Sequence, residues 1–520
     1  MVNKLRDISL YVVFAFLILG MIFLKADYHI DELLTYNLAN SNHALEYENG
    51  IRYEPADIPF EENMASNGKM DLERVWIQQT NDVHPPFYYA LVHIMCMIHP
   101  GVISMRDAGM INLVFQLLTL FFIRKIVEIM FPASESIKNI ISISYILSAG
   151  VLNIAAFLRM YSMAMCLTTI FTYLLLRGLE KTTPRYYIAL YFTTVVGALT
   201  HYYFIVYIFF AMVILSVILI YNHRFKDFIF HVLSVALLGG TTSVVIFPAM
   251  IDHLFHGNRG SESISNLTSA SFTEKLKNYY DLLNNALFGR TLTIILFLII
   301  AAVVYVFVMW DRDKKCKVIF EKIEIERYCI LTFSNVLFVL LVSKMAPYIA
   351  DRYVSVLFAI MICDIWCLLY KFTDIVFVKH KSKEIFLGVL ASCIVISAAF
   401  DSNWAYLNLN AKAQNNYLNQ FFRKSDAICV YNDEWRINTA YMAASNCDSS
   451  IFFKAANFDE YSEKSKNSEV EYGDRLVFFL YIDDAEGFIE QFVELHPEYH
   501  VESSFQWGYA MYCLTTEEWS

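Results

Sequence analysis

Apolar residues in this chain run in long blocks broken by short polar stretches, and the blocks have the length of membrane crossings. Eleven of them are long enough to span: residues 8–24, 108–123, 137–157, 161–176, 187–200, 203–221, 229–250, 291–310, 328–344, 353–370 and 384–400. Blocks of this kind predict transmembrane helices, because a bilayer leaves no backbone polar group unpaired except in a helix or a closed barrel. The block at 8–24 follows Lys4 and Arg6 as a signal peptide would, but no small-residue cleavage site follows it, so it reads as a retained first span. A further block at 85–99 is short, begins with two prolines and contains His93 and His99.

The polar stretches set the topology. Arg124, Lys125 and Lys138, then Arg177, Lys181 and Arg185, then Arg224 and Lys226, the cluster Arg312 to Lys322, and the run from Lys371 to Lys383 all fall on one side of the spans. Short loops rich in Lys and Arg face the cytoplasm. The helix at 108–123 must then start outside, where the first helix has already ended, and both conditions hold only if 85–99 does not cross. The expectation is eleven crossings, a cytoplasmic N-terminus, a non-spanning membrane helix at 85–99 and an external C-terminus. Charge agrees, since residues 26–84 hold twelve acids against three bases and residues 401–520 hold twenty against eight, in a chain of net charge −11. Composition, at 57% hydrophobic and 18% charged residues, likewise excludes an ordinary soluble protein and gives no basic surface for nucleic acid.

Residues 401–520 read differently. DAICVYN at 426–432, RLVFFLYI at 475–482 and YAMYCLT at 509–515 are apolar runs of strand length, and AEGFIEQFVELH is a helical pattern between them. The expected organisation is a transmembrane domain over 1–400, with an acidic first external loop at 26–84, followed by a small external α/β domain over 401–520. Ten cysteines are scattered without a CxxC or a zinc-like His/Cys spacing. Cys429, Cys447 and Cys513 lie in the external domain, where a disulfide is permitted.

Unusual residues gather at the outward ends of the spans: Asp31 and Glu32, then His84-Pro85-Pro86 with Tyr88 and Tyr89, Arg106 and Asp107, Arg159 with Tyr161, His201-Tyr202-Tyr203, and Asp351-Arg352-Tyr353. Each has a plain explanation alone, since tyrosine belongs to the interface belt and arginine snorkels to headgroups. Three external arginines nevertheless run against the charge bias that sorts the loops. Guanidinium groups hold phosphate in two-pronged fashion, so Arg106, Arg159 and Arg352 are candidates for a lipid phosphate, and a nearby carboxylate for the base on an acceptor hydroxyl.

The segments DYHIDELLTYNLA, NDVHPPFYYALVH, FLRMYSMAMCL, LTHYYF and APYIADRYVSVLF occur in the order typical of bacterial membrane glycosyltransferases of the GT-C class. Over residues 8–400 the chain resembles the glycosyltransferase 39 group, similar to protein O-mannosyltransferases and aminoarabinose transferases. The resemblance implies a GT-C fold and inverting transfer of a sugar from a polyprenyl-phosphate donor to a glycan, lipid or protein acceptor of the cell envelope, outside the cytoplasm. It implies Asp31 as base or acceptor orienter with Glu32 as helper, and a donor phosphate held by Arg106, Arg159, Arg352 and His84. Tyr88, Tyr89, Tyr161, His201, Tyr202 and Tyr353 are expected to line the substrate pocket. Some relatives carry a lysine beside the diproline; its absence here moves the phosphate contact to the three arginines.

No DxD occurs in the first loop, and the resemblance is to relatives that need no metal, so no obligatory cofactor is expected, although Asp31 and Glu32 have the oxygen chemistry for Mg or Mn. Three other readings stand beside the transferase. A flippase or transporter of lipid-linked glycans places charges near the midplane on interrupted helices; a ligase or polymerase places its catalytic loop late in the chain; and a non-catalytic glycan-binding protein can share the same fold.

Overall fold

The computed structural model describes residues 2–41, 47–54, 64–132, 134–268, 272–309, 322–377, 380–402, 404–409, 421–432, 447–506 and 510–516. They form two compact units. The first comprises Met1–Lys25, Asp71–Val92 and Met105–Leu407, and the second comprises Ala26–Met70, His93–Ser104 and Asn408–Ser520. Residues 26–70, most of the acidic first loop, and residues 93–104 thus fold with the C-terminal residues, an association that hydropathy does not announce.

The first unit is a multi-pass helical membrane assembly. Among the described residues, eight helices are long and apolar enough to cross: Leu5–Leu24, Met105–Met130, Tyr161–Glu180, Tyr202–Tyr221, Phe225–Ile246, Ile323–Met345, Asp351–Asp374 and Lys381–Asp401. Two bent pairs raise the total to as many as ten if each is one broken span, Glu135–Ile146 with Ala149–Ala156 at 49° and Phe272–Phe288 with Leu292–Val308 at 95°. Ten of the eleven expected crossings coincide with these helices. The block at 187–200 instead forms Pro184–Ala198, whose 15 residues extend only about 22 Å of a hydrocarbon core about 30 Å thick. Within 85–99 the helix is Phe87–Cys96, ten residues or about 15 Å. Most of the basic cluster Arg312 to Lys322 lies outside the described residues.

Local chemistry explains the breaks. Ser148 ends the first half of the milder bend and caps the second, its hydroxyl accepting the Val151 amide at 3.5 Å. The sharper bend turns on Gly289 and Arg290, both with positive φ. Asn284 stabilises it by accepting the Leu292 amide on its side chain at 2.9 Å and the Arg290 amide on its carbonyl at 3.1 Å. A Cβ at Gly289 would lie 2.7 Å from the Ile394 carbonyl, so close packing as well as φ requires glycine there.

Exposed apolar side chains such as Phe16, Phe23, Phe297 and Phe307 cover the lipid-facing surfaces. Several basic residues near helix ends are paired. Arg124 meets Asp7 at 2.5 Å, Lys371 meets Glu324 at 2.8 Å, Lys383 meets Asp374 at 2.6 Å, and Arg327 meets Glu180.

The second unit is built on a six-stranded sheet in the order β1-β3-β2-β4-β6-β5, where β1 is Arg52–Tyr53, β2 Asp426–Tyr431, β3 Ser449–Lys454, β4 Arg475–Tyr481, β5 His500–Gln506 and β6 Ala510–Thr515. The central strands β3, β2 and β4 run parallel, and the outer pairings are antiparallel. Being covered on both faces, β2 and β4 read as continuous apolar runs rather than alternating ones. One face packs Ile428, Val430, Phe478 and Leu480 against the helices Phe458–Asn467 and Ala485–Leu495. The other gathers Phe479, Phe452 and the cysteines Cys429, Cys447 and Cys513, with Tyr47 and Tyr53 from the first loop against it.

Candidate functional site

Within the membrane unit, the polar residues expected from the motifs converge around Arg159. This residue follows the broken span ending at Ala156 and precedes the span beginning at Tyr161, so its charge sits at a gap in the helical structure. It is only 3% exposed. The gap is shaped by Asn112, fully buried on the helix Met105–Met130, whose amide donates to the Ala155 carbonyl at 3.1 Å and the Phe157 carbonyl at 2.6 Å. The same side chain accepts from the Tyr88 hydroxyl at 3.3 Å. Tyr88, Tyr89 and Tyr161 are buried and near enough to act on the Arg159 charge.

His84 arrives from another direction. The helix Leu72–Asn81 ends at Asp82, and the prolines at 85 and 86 stiffen the chain that follows. The Phe87 amide then donates to the Leu199 carbonyl at 3.0 Å, next to the turn that carries His201. Asp82 Oδ2 lies 2.8 Å from His84 Nδ1, and Arg159 Nη2 lies 3.3 Å from His84 Nε2. Burial opposes ionisation of Asp82, but the His84 imidazole and the Arg159 guanidinium outweigh it and hold the carboxyl below the usual range. His84 therefore has both ring nitrogens engaged within the protein, and the donor to phosphate expected of it is directed to its own neighbours.

His201 caps the helix Tyr202–Tyr221, its Nδ1 accepting the Tyr203 amide at 3.0 Å. Burial, then the neighbouring His84 and Arg159, push its pKa down to about 3. The ring is thus neutral, with its proton on Nε2. Its ring centroid stands 6.5 Å from that of His84 and 5.3 Å from that of Tyr161.

From His201 the aromatic contacts continue to Tyr203 at 5.4 Å, and from Tyr203 to Tyr353 at 5.4 Å. Arg352 lies over Tyr348 and Tyr353, at 5.3 and 5.7 Å from the ring centres, and donates to the Tyr348 hydroxyl. On the other side of Tyr161, Phe157 stacks between Tyr161 and Tyr406 at 5.4 and 3.8 Å. The Tyr406 hydroxyl donates to Asp351 at 2.5 Å. One wall of rings thereby joins Arg159, His84, His201, Tyr161, Tyr353 and Arg352.

Two expected site residues stand outside these contacts. Tyr202 sends its hydroxyl to His253 Nδ1 at 2.7 Å and packs in an apolar cluster with Phe247 and Met250. Arg106 is exposed, with its guanidinium 5.6 Å from the centre of the Phe23 ring. Asp82, Asn112, Tyr348 and Tyr406 join the cluster without having been singled out by sequence. For Asp82 a signal exists, since it stands two residues before the histidine of the His-Pro-Pro turn.

In the second unit, Asp31 and Glu32 open the helix Ile30–Asn40 and do different things. Glu32 is fully buried, and its Oε2 accepts the His29 amide at 2.7 Å, while His29 Nδ1 accepts the Asp31 amide at 3.1 Å. This is a capping box with histidine in the Ser/Thr position, and it gives Glu32 a structural task. Asp31 keeps a side chain one-fifth exposed, 3.8 Å from His29 Nδ1. Aromatics of the first loop are occupied by packing: Tyr36 donates to the Ser104 carbonyl at 2.6 Å, and Tyr47 stacks on Phe452 at 3.9 Å. Among the described residues no group of three or more His, Cys, Asp or Glu side chains is gathered as a metal site requires.

No protein-family model matches the chain, and no curated protein matches it in sequence. Solved structures similar in chain trace include ArnT from Cupriavidus metallidurans bound to undecaprenyl phosphate, at 10% identity and a TM-score of 0.47 over 93% of this chain and 96% of that one. The Archaeoglobus fulgidus oligosaccharyltransferase in its apo form is similar at 10% identity and a TM-score of 0.46, over 90% of this chain and 69% of its own. At these values the function has to be argued from the chain's own residues.

Proposed function

We propose that this protein is an inverting membrane glycosyltransferase that takes a sugar from a polyprenyl-phosphate donor and delivers it to a cell-envelope acceptor outside the cytoplasm. The observation that carries this reading is the buried Arg159 guanidinium at a break between two membrane helices, walled by tyrosines and two histidines. A fixed cation is costly at that depth and suits an anionic lipid headgroup reached from the bilayer. The order of the quoted motifs supports the same class.

In the reaction, an acceptor hydroxyl attacks the anomeric carbon opposite the phosphate. The bond between that carbon and the phosphate oxygen breaks, its electron pair leaves with the phosphate, and the acceptor proton passes to a carboxylate base, the role that the motif order assigns to Asp31. Arg159, Arg352 and the neutral His201 Nε2–H supply the positive charge and hydrogen bonding that a departing phosphate needs. The basic loops favour a cytoplasmic N-terminus, and an external C-terminal domain requires an odd number of crossings, so that Pro184–Ala198 would also have to pass the membrane.

The test is transfer in vesicles containing the purified protein and a radiolabelled polyprenyl-phosphate sugar, offered envelope glycans, lipids and peptides in turn. The expected result is product formation that Asp31→Asn and Arg159→Gln each abolish; transfer at the normal rate by Asp31→Asn would remove Asp31 from the base role.

A second reading, transport of a lipid-linked glycan, is favoured by one observation. Asp364 is buried within the span Asp351–Asp374, accepting from Thr332 at 2.9 Å and Asn335 at 3.3 Å, and carboxyls at that depth are common on transport pathways. Movement of labelled lipid across vesicles without any transfer product would favour it.

A further inference from the structure

We propose that Asp82 is a positioning residue that, through His84, fixes which imidazole nitrogen is presented to Arg159 and so aims the guanidinium. The proposal rests on the reading of Arg159 as the phosphate-holding group.

A guanidinium has only donors. The 3.3 Å contact between Arg159 Nη2 and His84 Nε2 therefore requires a lone pair on Nε2. The ring proton of neutral His84 must then sit on Nδ1, where Asp82 Oδ2 at 2.8 Å accepts it. Asp82 is suited to this, because a carboxylate, here with the Arg159 guanidinium nearby, can only accept. It is also fixed in place: its backbone amide donates to the Gln79 carbonyl at 3.2 Å, closing the helix Leu72–Asn81.

The groups near His84 include Asp82, Arg159, the His201 ring at 6.5 Å and the Tyr89 ring at 6.4 Å, and of these Asp82 supplies the acceptor at Nδ1. Imidazole in water favours the opposite tautomer, with its proton on Nε2. Without Asp82, His84 would turn an N–H toward the N–H groups of Arg159, and two donors facing each other repel. The guanidinium would have to swing away from the gap between Ala156 and Tyr161.

The experiment compares wild type, Asp82→Ala, Asp82→Asn and Arg159→Gln in detergent near neutral pH with two readouts. Nitrogen NMR of protein carrying labelled histidine, with His84 identified by its loss in His84→Gln, reports the tautomer. Titration with a polyprenyl phosphate, followed by thermal shift, reports affinity. The expected result is an Nδ1–H tautomer in wild type that is lost in Asp82→Ala, with affinity falling on the order of ten-fold, as when an outer partner of a binding group is removed.

A wild-type His84 protonated on Nε2 overturns the proposal. So does a change of tautomer without loss of affinity, or a loss of affinity without change of tautomer. If Asp82→Ala does not fold, Asp82→Asn is judged by the same two measurements. Failure of the underlying phosphate reading looks different: Arg159→Gln would then bind the polyprenyl phosphate as wild type does.

Discussion

Asn112 holds the gap in which Arg159 sits, and Asn112→Leu measures how much that gap depends on it. Leucine has the same branching and the same number of side-chain heavy atoms, so the substitution removes hydrogen bonds without opening a large cavity. Three bonds are lost: to the Ala155 carbonyl, the Phe157 carbonyl and the Tyr88 hydroxyl. The Phe157 carbonyl retains the Arg159 amide at 2.7 Å, so its loss is softened. A buried polar group deprived of its partner costs about 1–3 kcal/mol, whereas hydrogen bonds between membrane helices average about 0.6 kcal/mol. Between those limits the expected destabilisation is about 2–3 kcal/mol. Denaturant-induced unfolding in mixed micelles gives that number, and titration with a polyprenyl phosphate reports whether the Arg159 gap has moved with it. A variant within about 0.5 kcal/mol of wild type that binds the lipid unchanged would show that Asn112 does not hold the gap.

The two carboxylates at the head of the helix Ile30–Asn40 should separate cleanly. Glu32→Gln weakens the cap and lowers stability by about 0.5–2 kcal/mol, whereas Asp31→Asn leaves the melting temperature near wild type and abolishes transfer; equal melting temperatures for all three proteins would refute the capping role. His201 makes stability depend on pH. Its folded pKa of about 3 lies below the ordinary 6.5, so the unfolded chain binds more protons between those values. The stabilisation is complete above about pH 6.5 and is lost as pH falls toward 3. Melting curves of wild type and His201→Gln from pH 7 to 4 should therefore converge on acidification, and parallel curves would refute the assignment. Dialysis against a chelator should leave transfer intact; abolished activity restored by Mg or Mn would put a cation at Asp31. Asp364→Asn should leave transfer intact while any transport activity disappears with it.

How much of this was legible in the sequence depended on how local the signal was. The spans at 8–24, 108–123 and 353–370 could be read directly, because length and apolarity alone define a crossing. The 95° turn at Gly289 and Arg290 could not, because hydropathy is blind to φ and to the Asn284 contacts that hold the turn. His84, Arg159 and His201 stood out as polar residues at the edges of apolar blocks. Asn112 did not, since a single amide inside a long apolar block looks the same whether it faces lipid or seals a loop. Glu32 is expected as a helper to Asp31 from the resemblance, and its capping role is not legible because the capping residue is a histidine rather than the usual Ser or Thr. The pairing of β1 with β3, across almost 400 residues, was beyond any local pattern.

The distribution of compensation among the buried polar groups separates the two functional readings better than their number does. A transport pathway needs ionisable groups in the hydrocarbon interior that exchange partners as the protein moves. Asp364 sits on a span of the interior, yet both its oxygens are met by neutral donors, and its nearest helix neighbours Cys363 and Cys367 are apolar in character. Arg159 and His84 are placed at chain breaks rather than within spans, in contact with rings and with each other, and fixed from behind by Asp82 and Asn112. Rigid support behind a cation is what a transferase requires, because a leaving phosphate is stabilised only by charge already in position when the bond breaks. The buried, many-sided contacts that place Arg159 therefore fit the transfer reading.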